Sequence, residues 1–270
     1  MKNFAEIECP LCQSKNILDY FKDESSLKRC QNCRIVFTHP LPEFLSDAYD
    51  EDYYRIWYEQ QFRQRVKLWE KRMRVVKKFC RSGRLLDVGT GDGLFLKIAS
   101  SSNFEISGTE ISPAAVKAAK DLYGLNIHLT EIEDSDFEKD YFDVVTLWHV
   151  IEHVQAPLLV FKAAHKLLKP GGVIIVATPN LDKYLSRFIY RLLHRQPYPF
   201  YSPRGEQHLF HFTQDTLERM INRAGFRTVS KGADFASVRL KFKMIEYAAF
   251  LLSILFQKNW NESMLIIGQK

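Results

Sequence analysis

Long apolar runs are missing from this sequence of 270 residues. The best candidate, Tyr247 to Phe256, falls short of the roughly 18 or more apolar residues that a membrane-spanning helix needs. The residues after Met1 are mixed and polar, which does not match a secretory signal. We therefore expect a cytoplasmic protein, and contact with a membrane surface stays open.

Cysteine is scarce, and its arrangement argues against a disulfide framework. Of five cysteines, four form two C-x-x-C pairs separated by 17 residues. Each such turn directs two sulfur atoms towards one point, and this spacing is typical of a four-thiolate zinc site. A redox pair is the alternative, but it would not need a duplicate. The predicted zinc ligands are Cys9, Cys12, Cys30 and Cys33.

Two common nucleotide-binding motifs are also absent. The segment LLDVGTGDG, Leu85 to Gly93, is an apolar run that ends in an aspartate and three glycines. The dinucleotide fingerprint would need glycine where Leu94 stands, and a triphosphate loop would need Gly-Lys-Ser or Gly-Lys-Thr. The loop still predicts a close approach between the backbone and a ligand.

The charge is mildly basic. A net charge of +6 permits an anionic partner without requiring one. Residues 61–84 hold ten Lys or Arg against one Glu. We interpret them as a solvated helix surface, with an anion-binding face as the alternative.

Strand and helix signals alternate after Arg84. Short apolar strands separated by helices predict an α/β fold with a doubly wound, mostly parallel sheet of seven strands. We expect a small zinc ribbon at residues 1–40, a helical linker or lid at 41–80, and the α/β domain at 81–270. Helical insertions are expected near residues 181–204 and 239–258.

Several segments together resemble the class I S-adenosylmethionine-dependent methyltransferases. LLDVGTGDG is similar to their first motif, GTEIS to their acidic second-strand end, FDVVTLWHVIEHV to their fourth strand, and LLKPGGVIIVATPN to their fifth. The segment HLFHFTQDTLERMINRAGF resembles small-molecule members, including ubiquinone-pathway O-methyltransferases. The resemblance covers roughly residues 80–230 and the last strand, and it implies a Rossmann-like methyltransferase domain.

The resemblance also implies how S-adenosylmethionine is held. Glu110 would pair with the ribose hydroxyls, Asp87 would lie near the methionine amine, and Glu131 would hold the adenine amino group. The glycines would let the backbone approach the donor. The implied donor-binding residues are Asp87, Gly89, Gly91, Gly93, Glu110, Ile111, Glu131, Ile132 and Trp148.

Two histidines are candidates for the acceptor side. His149, Glu152 and His153 also spell the zinc-protease pattern H-x-x-E-H, but that pattern needs one regular helix. Here it lies within the methyltransferase motif, at a predicted strand end and helix start. We expect His153 or His208 to assist removal of the acceptor's proton, with a helix-positioning role as the alternative for His153.

Residues 181–193 form a predicted amphipathic helix. Apolar residues recur with helical spacing and basic residues occupy the other side, as in helices that lie on an anionic membrane surface. Packing on the domain or a dimer interface is the alternative. The apolar residues are Leu181, Tyr184, Leu185, Phe188, Ile189, Leu192 and Leu193.

The expected reaction is methyl transfer to a small-molecule, glycan or lipid-linked acceptor, with oxygen as the favoured acceptor atom. The alternative is an RNA methyltransferase that uses the zinc ribbon to recognise RNA. An N-D-P-P-Y type of motif and a stacking platform for bases are both missing, so we do not expect a nucleic-acid partner. The sequence carries no sign of the oligomeric state.

Overall fold

The fold is described by a computed structural model, which covers residues 7–21, 26–41, 51–194, 208–235, 240–256 and 258–270. Parts of the expected zinc ribbon, linker and two insertions lie outside the described residues. Those parts are residues 1–6, 22–25, 42–50, 195–204, 239 and 257.

A small antiparallel sheet of four strands lies at the amino-terminal end of the chain. Its strand order is β1-β2-β3-β9. The strands are β1 (Ile17–Asp19), β2 (Leu27–Cys30), β3 (Val36–Thr38) and β9 (Phe210–His211). The fourth strand comes from far along the chain, so this sheet is not built by the expected ribbon segment alone.

The central sheet has seven strands in the order β10-β11-β8-β7-β4-β5-β6. β11 runs antiparallel to both of its neighbours, β10 and β8, and all other pairs in the sheet are parallel. This confirms the prediction of a mostly parallel seven-stranded sheet. The strands are β4 (Gly83–Val88), β5 (Phe104–Glu110), β6 (His128–Leu129), β7 (Phe142–Trp148), β8 (Leu168–Pro179), β10 (Arg227–Ala233) and β11 (Ser263–Gln269).

Seven helices occur among the described residues, and those that follow strands of the central sheet cover its two faces. Apolar side chains pack on each face in separate clusters, which explains why the inner strands are apolar without alternation. The helices are α1 (Glu51–Phe79), α2 (Leu94–Ser100), α3 (Pro113–Tyr123), α4 (Pro157–Leu167), α5 (Tyr184–His194), α6 (Gln214–Arg223) and α7 (Leu240–Phe256).

Two boundaries differ from the sequence prediction. The segment APLLVFKAAHKLLKPGG predicts a helix that ends at its glycines, whereas α4 ends at Leu167, because the residue before Pro170 is disfavoured in helical conformation. Residues 149–156 form turns, and α4 begins only at Pro157. His153 therefore does not lie on a helix, and the H-x-x-E-H pattern does not have the helical geometry of a zinc protease.

The order in which the chain connects the strands reverses at the centre of the sheet. From β4 the chain continues to β5 on one side, whereas β7 pairs with β4 on the other side. Ligands of open α/β sheets bind beyond the carboxyl ends of the strands at such a reversal. We call the space beyond the ends of β4, β5 and β7 the donor crevice.

Among the described residues, no helix has both the length and the apolar character needed to cross a membrane.

Candidate active site

The four cysteines of the small sheet converge on one point. Cys9 Sγ lies 3.4 Å from Cys33 Sγ, and Cys12 Sγ lies 3.5 Å from Cys30 Sγ. All four sulfur atoms are within 4.8 Å of one another. The two C-x-x-C turns thus bring their sulfurs together as the spacing predicts.

The two cysteine turns have matching backbone conformations. In each turn the fourth residue donates its amide to the first sulfur at 3.4 Å, namely Cys12 to Cys9 and Cys33 to Cys30. The next residues, Gln13 and Arg34, have positive φ angles of 61° and 67°. Such turns orient the amides towards sulfur, which favours thiolate and suits a tetrahedral cation site.

The pKa values of these thiols also fit a bound cation. A hydrogen bond with Cys33 is the main cause that lowers the pKa of Cys9, to about 5, and the same contact raises the pKa of Cys33. One thiolate therefore opposes ionisation of its neighbour. A zinc ion would let all four ionise, because it stabilises the thiolate form.

The glycine loop turns sharply after β4. Gly89, Gly91 and Gly93 have φ angles of 63°, 57° and 77°, a region that residues with a side chain rarely adopt. The amides of Gly89 and Thr90 donate to the Thr109 carbonyl at 2.8 and 3.1 Å, which fixes the loop to β5. The loop thus lies against the donor crevice.

Glu110 ends β5 beside this loop. Its carboxylate accepts hydrogen bonds from the amides of Gly91 at 2.8 Å, Ile111 at 2.9 Å and Ser112 at 3.0 Å. Burial raises the pKa of Glu110, whereas these three amides lower it. The amides hold the carboxylate in place and leave it acceptor capacity for further hydroxyl donors.

Asp87 lies near the end of β4 and is buried. Thr146 donates its hydroxyl to Asp87 Oδ1 at 2.6 Å. Burial is the main cause that raises the pKa of Asp87 to about 7, although Thr146, Thr90 and Arg72 each lower it. Asp87 can therefore change its charge near neutral pH.

The other implied donor-binding residues lie around the crevice in different settings. Ile111 is 40% exposed, which leaves an apolar surface next to Glu110. Glu131 is exposed, whereas Ile132 and Trp148 are buried. A Cβ atom on Gly93 would lie 3.1 Å from Ala119 Cβ of α3 and 2.8 Å from the end of the Leu125 side chain, so little space is left for a side chain here.

Helix α1 contributes buried arginines that the sequence analysis did not single out. Arg72 pairs with Asp234 at 2.6 Å, and its guanidinium lies 4.8 Å from the ring centres of both Trp69 and Trp148. Arg65 pairs with Asp92 of the glycine loop. The signal was the spacing of residues 65, 69 and 72, which puts two basic residues and a tryptophan on one helix face.

The loop that follows β7 contacts the segment that precedes β9, and both lie near the carboxyl end of β8. Thr178 donates to Glu152 Oε2 at 2.8 Å, and the His153 and His208 ring centres are 4.8 Å apart. His149 Nδ1 lies 3.4 Å from Glu152 Oε1, and its Nε2 lies 3.7 Å from Asp234. The two predicted histidines are therefore brought together, and the Glu152 carboxylate, to which the sequence analysis gave no role, lies within 4.8 Å of both.

The chain matches the model of a protein family described as "Methyltransferase domain" over residues 58–231. This match spans well over half of the chain and includes the glycine loop, Glu110, Trp148 and the two histidines.

Curated relatives include ubiquinone biosynthesis O-methyltransferases. The protein from Cereibacter sphaeroides is 30% identical over 154 residues, which cover 55% of this chain and 62% of the relative. The one from Thiobacillus denitrificans is 32% identical over 165 residues, which cover 54% of this chain and 65% of the relative. The chain thus spans less than two thirds of the length of these relatives.

Solved structures share the fold. A SAM-dependent methyltransferase from Archaeoglobus fulgidus is similar with a TM-score of 0.56 and 19% identity, over 81% of this chain and all of that one. One from Aquifex aeolicus has a TM-score of 0.53 and 13% identity, over 82% of this chain and 98% of that one. With the family match, the chain belongs to the methyltransferase-domain family and has the fold of class I S-adenosylmethionine-dependent methyltransferases.

Proposed function

We propose that the protein transfers a methyl group from S-adenosylmethionine to an oxygen atom of a small-molecule acceptor. The observation that carries this proposal is the pairing of the glycine loop with Glu110, a buried carboxylate that its neighbours hold at the mouth of the donor crevice. The O-methyltransferase relatives support oxygen as the acceptor atom.

The residues around the crevice fit this donor. Glu110 would accept hydrogen bonds from the ribose hydroxyls, and Ile111 offers an apolar surface to the adenine. Asp87 would balance the charge of the methionine amine. Trp148 Nε1 is buried and makes no hydrogen bond with the described residues, so a polar ligand atom would satisfy it.

The chain's own contribution is mainly alignment and exclusion of water. When bound, the donor supplies a methyl group on a sulfonium sulfur: the acceptor oxygen forms the new bond to carbon, and the electron pair of the broken S–C bond returns to sulfur. Trp69 and Trp148 pack with ring centres 6.3 Å apart and both contact the Arg72 guanidinium, and they would exclude water from this end of β7. His153 and His208 lie on the acceptor side, and we expect them to take part in release of the acceptor's proton.

The cysteine cluster supports a proposal of one structural zinc ion. Cys9, Cys12, Cys30 and Cys33 would hold it, and they would supply a complete tetrahedron with no open position. We propose that the chain is divided into a zinc ribbon at residues 1–40, a helical linker or lid at 41–80 and a methyltransferase domain at 81–270.

An exposed apolar surface supports a lipid-linked or amphiphilic acceptor rather than a freely soluble glycan. Apolar side chains of α5 and α7 face solvent and form what we call the apolar patch. We propose that it rests on the cytoplasmic surface of an anionic membrane. The patch comprises Tyr184, Phe188, Leu192, Met244, Tyr247, Leu251, Ile254, Leu255 and Phe256.

The test is transfer of a labelled methyl group from S-adenosylmethionine to a panel of phenols, prenylated phenols, sugars and total RNA, followed by mass spectrometry. We expect a labelled methyl ether of a small molecule, and no product with Gly91→Val, whose side chain is disfavoured at a φ of 57°. Labelling of RNA alone would contradict the proposal, and so would failure of the folded protein to bind the donor in calorimetry.

A further inference from the structure

A second cavity lies between the small sheet and the later elements of the chain. Its volume is about 660 Å³, which is within the range of small-molecule sites. Its walls come from the small sheet, α5, the start of α6, the end of β10, and α7 with the segment that follows it. We call it the arginine cavity, because Arg29, Arg34 and Arg187 line it. The described residues that line it include neither Asp87 nor Glu110, so it is separate from the donor crevice.

The arginine cavity carries an excess of positive charge. Five basic and three acidic side chains line it. Each of the three carboxylates already has a basic partner, and the pairs are Asp182–Lys258, Glu218–Lys231 and Asp215–Arg219. These pairs involve neither Arg29 nor Arg34, so the carboxylates of the cavity do not neutralise these two guanidinium groups. Guanidinium groups bind phosphate oxygens through pairs of parallel hydrogen bonds.

A buried amide in the wall of the cavity offers an acceptor. Asn261 is 2% exposed, and its Nδ2 donates to the side-chain oxygen of Asn259 at 3.1 Å. Its main-chain carbonyl accepts a hydrogen bond from Asn180 at 3.0 Å, which fixes the residue in place. Among the described residues, none donates to Asn261 Oδ1. A buried amide oxygen in this state suits a ligand hydroxyl as its donor.

The arginine cavity adjoins both the apolar patch and the acceptor side. Tyr184 and Ile254 belong to the patch and also line the cavity. Towards the central sheet, Ala233 lines the cavity, and the next residue, Asp234, lies 3.7 Å from His149 Nε2. A molecule in the cavity would therefore lie next to residues that we assign to the acceptor.

We propose that the arginine cavity binds a phosphorylated molecule with free hydroxyl groups, such as a sugar phosphate. Arg29 and Arg34 would hold the phosphate, and Asn261 Oδ1 would accept a hydrogen bond from a hydroxyl group. The side chains of Tyr20 and Phe250 also line the cavity, and their aromatic faces would pack against the organic part of the ligand.

This site would hold the acceptor through a part that is remote from the transferred methyl group. That role rests on the proposed methyl transfer, whereas phosphate binding itself does not. A soluble molecule and the headgroup of a lipid-linked acceptor would present the same phosphate to the arginines. The two sources therefore need separate measurements.

The test is calorimetric titration of the intact protein with inorganic pyrophosphate, glucose 1-phosphate and glucose. We expect both phosphates to bind and glucose to bind far more weakly. Arg29→Gln and Arg34→Gln should each weaken pyrophosphate binding by about ten-fold or more, because each removes charge-assisted hydrogen bonds. The matched control is Lys28→Gln, on the same strand as Arg29, and it should leave binding unchanged. Lys28 pairs with Asp19 and does not line the cavity.

Asn261→Ala tests the hydroxyl contact. It should weaken binding of glucose 1-phosphate about five-fold more than binding of pyrophosphate, which has no hydroxyl group on carbon. The two ligands are compared in one variant, so a general loosening of the fold does not imitate this result. An equal loss for both ligands would overturn the assignment of a hydroxyl-bearing ligand.

Phosphatidylcholine vesicles with and without a polyprenyl phosphate separate the two sources. Recruitment by polyprenyl phosphate that pyrophosphate reverses and Arg29→Gln abolishes would support a lipid-linked phosphate. Binding of the soluble phosphates alone would support a soluble one.

The remaining outcomes are separable. Failure of every phosphate to bind, or equal binding by Lys28→Gln, Arg29→Gln and Arg34→Gln, would overturn the proposal. The affinity for S-adenosylmethionine is measured on the same samples, and it should be unchanged in the arginine variants. If phosphate binds but the donor does not, the proposed methyl transfer fails while the phosphate site stands.

Discussion

Two buried carboxylates at the ends of neighbouring strands set the chemistry of the donor crevice. Glu110 is held by three amides, whereas Asp87 has hydroxyl neighbours and a more distant arginine. The first is fixed in position, and the second can change its charge. Each therefore leads to a different measurable effect on donor binding.

Substitution of Glu110 should have the larger effect on the affinity for the donor. We expect Glu110→Ala to weaken S-adenosylmethionine binding by at least about ten-fold, because hydrogen bonds to a charged group contribute roughly 1.5–3 kcal/mol. Isothermal titration calorimetry is the measurement. Glu105→Ala is the matched control, since Glu105 lies on the same strand but is exposed. Equal affinities of the two variants would show that Glu110 does not contact the donor.

Asp87 predicts a pH dependence. In the free protein burial raises its pKa to about 7, so the carboxyl is mostly protonated at pH 6. A cationic amine favours the carboxylate, so binding must release this proton at low pH and should become tighter as pH rises. Between about pH 6 and pH 7.5 we expect roughly an eight-fold gain in affinity, as the ionised fraction grows.

The same titration in Asp87→Asn isolates this group. Asparagine keeps the size of the side chain but cannot ionise, so the variant should bind weakly with little dependence on pH over this range. A wild-type affinity that stays flat between pH 6 and pH 7.5 would mean that Asp87 does not balance the donor's charge.

For single residues, the sequence predicted those members of the site whose position follows from the order of the strands. Asp87, Glu110 and Trp148 come at the ends of apolar strands, and parallel strands place those ends together. Arg72 and Asp234 could not be paired in this way, because 162 residues separate them and nothing local links them. Glu152 was also missed as a partner of His208, since a backbone contact between distant loops creates that pair.

Among the elements, β3 and β9 connect the cysteine cluster to the acceptor side. Val36 pairs with His211 and Phe37 with Phe210, so the small sheet ends next to His208. The buried side chains of Phe37 in β3 and of Ile35 just before it belong to the same apolar cluster as one face of the central sheet. We therefore expect the small sheet to hold the segment that carries His208 in place.

Loss of the proposed zinc ion should consequently affect the acceptor side rather than the donor side. We expect Cys30→Ser to remove the zinc, to preserve donor affinity, and to lower methyl transfer by about ten-fold or more as β3 loosens from β9. Elemental analysis, calorimetry and turnover measure the three effects. Cys80→Ser is the control, because Cys80 lies outside the cluster. Full turnover without zinc would show that the ribbon does not position His208.

A buried ion pair between Arg72 and Asp234 attaches helix α1 to the residue that follows β10. Burial raises the pKa of Asp234, but Arg72 and His149 outweigh it and keep the pKa well below its usual range. Because breaking a buried pair leaves an uncompensated charge, Asp234→Ala should lower the free energy of unfolding by about 3–5 kcal/mol. Chemical denaturation measures this value.

Glu218→Ala is the comparison for this prediction. Glu218 pairs with Lys231, whose side chain is half exposed, so its loss should cost less than about 1 kcal/mol. If the two variants are equally stable, the Arg72–Asp234 pair does not secure α1.

The elements themselves were largely readable from the sequence. Alternating strand and helix signals marked the seven strands of the central sheet. Threonine before the segment QDTLERMINR is a typical helix cap, and Thr213 caps α6 by accepting a hydrogen bond from the Thr216 amide. The two-residue strand β9 carries no such signal, because its strand conformation depends on pairing with β3. Tertiary pairing of this kind escapes local patterns.

At the scale of the whole molecule, the apolar patch is the most unusual surface, because large apolar side chains are exposed there together. The predicted stripe on α5 is exposed at Tyr184, Phe188 and Leu192, although Leu181 lies before the helix and the side chain of Leu193 lies outside the described residues. The basic side differs from the prediction, because Lys183 and Arg187 are partly buried. Exposed cations near the patch are Arg191 and Lys258.

Tyr184 connects α5 to the segment that follows α7. Lys258 Nζ donates to the Tyr184 hydroxyl at 3.1 Å, and Tyr184 lies 5.8 Å from the Trp260 ring. The exposed residues of α7 follow helical spacing, so they form a second stripe beside the first. Contiguous apolar surface with cations nearby suits an interface with anionic lipid.

Flotation with anionic vesicles tests this surface. We expect the protein to float at low salt and to be released as salt rises, because anionic lipid attracts the basic residues. Leu192→Glu and Ile254→Glu, at residues 69% and 61% exposed, should abolish flotation without unfolding the chain. Leu159→Glu is the matched control, at a residue 53% exposed on α4, and it should float like the wild type. If the wild type stays in the soluble fraction at low salt and sediments as a dimer that the same two substitutions dissociate, the patch binds a second copy of the chain, and a freely soluble acceptor becomes the better proposal.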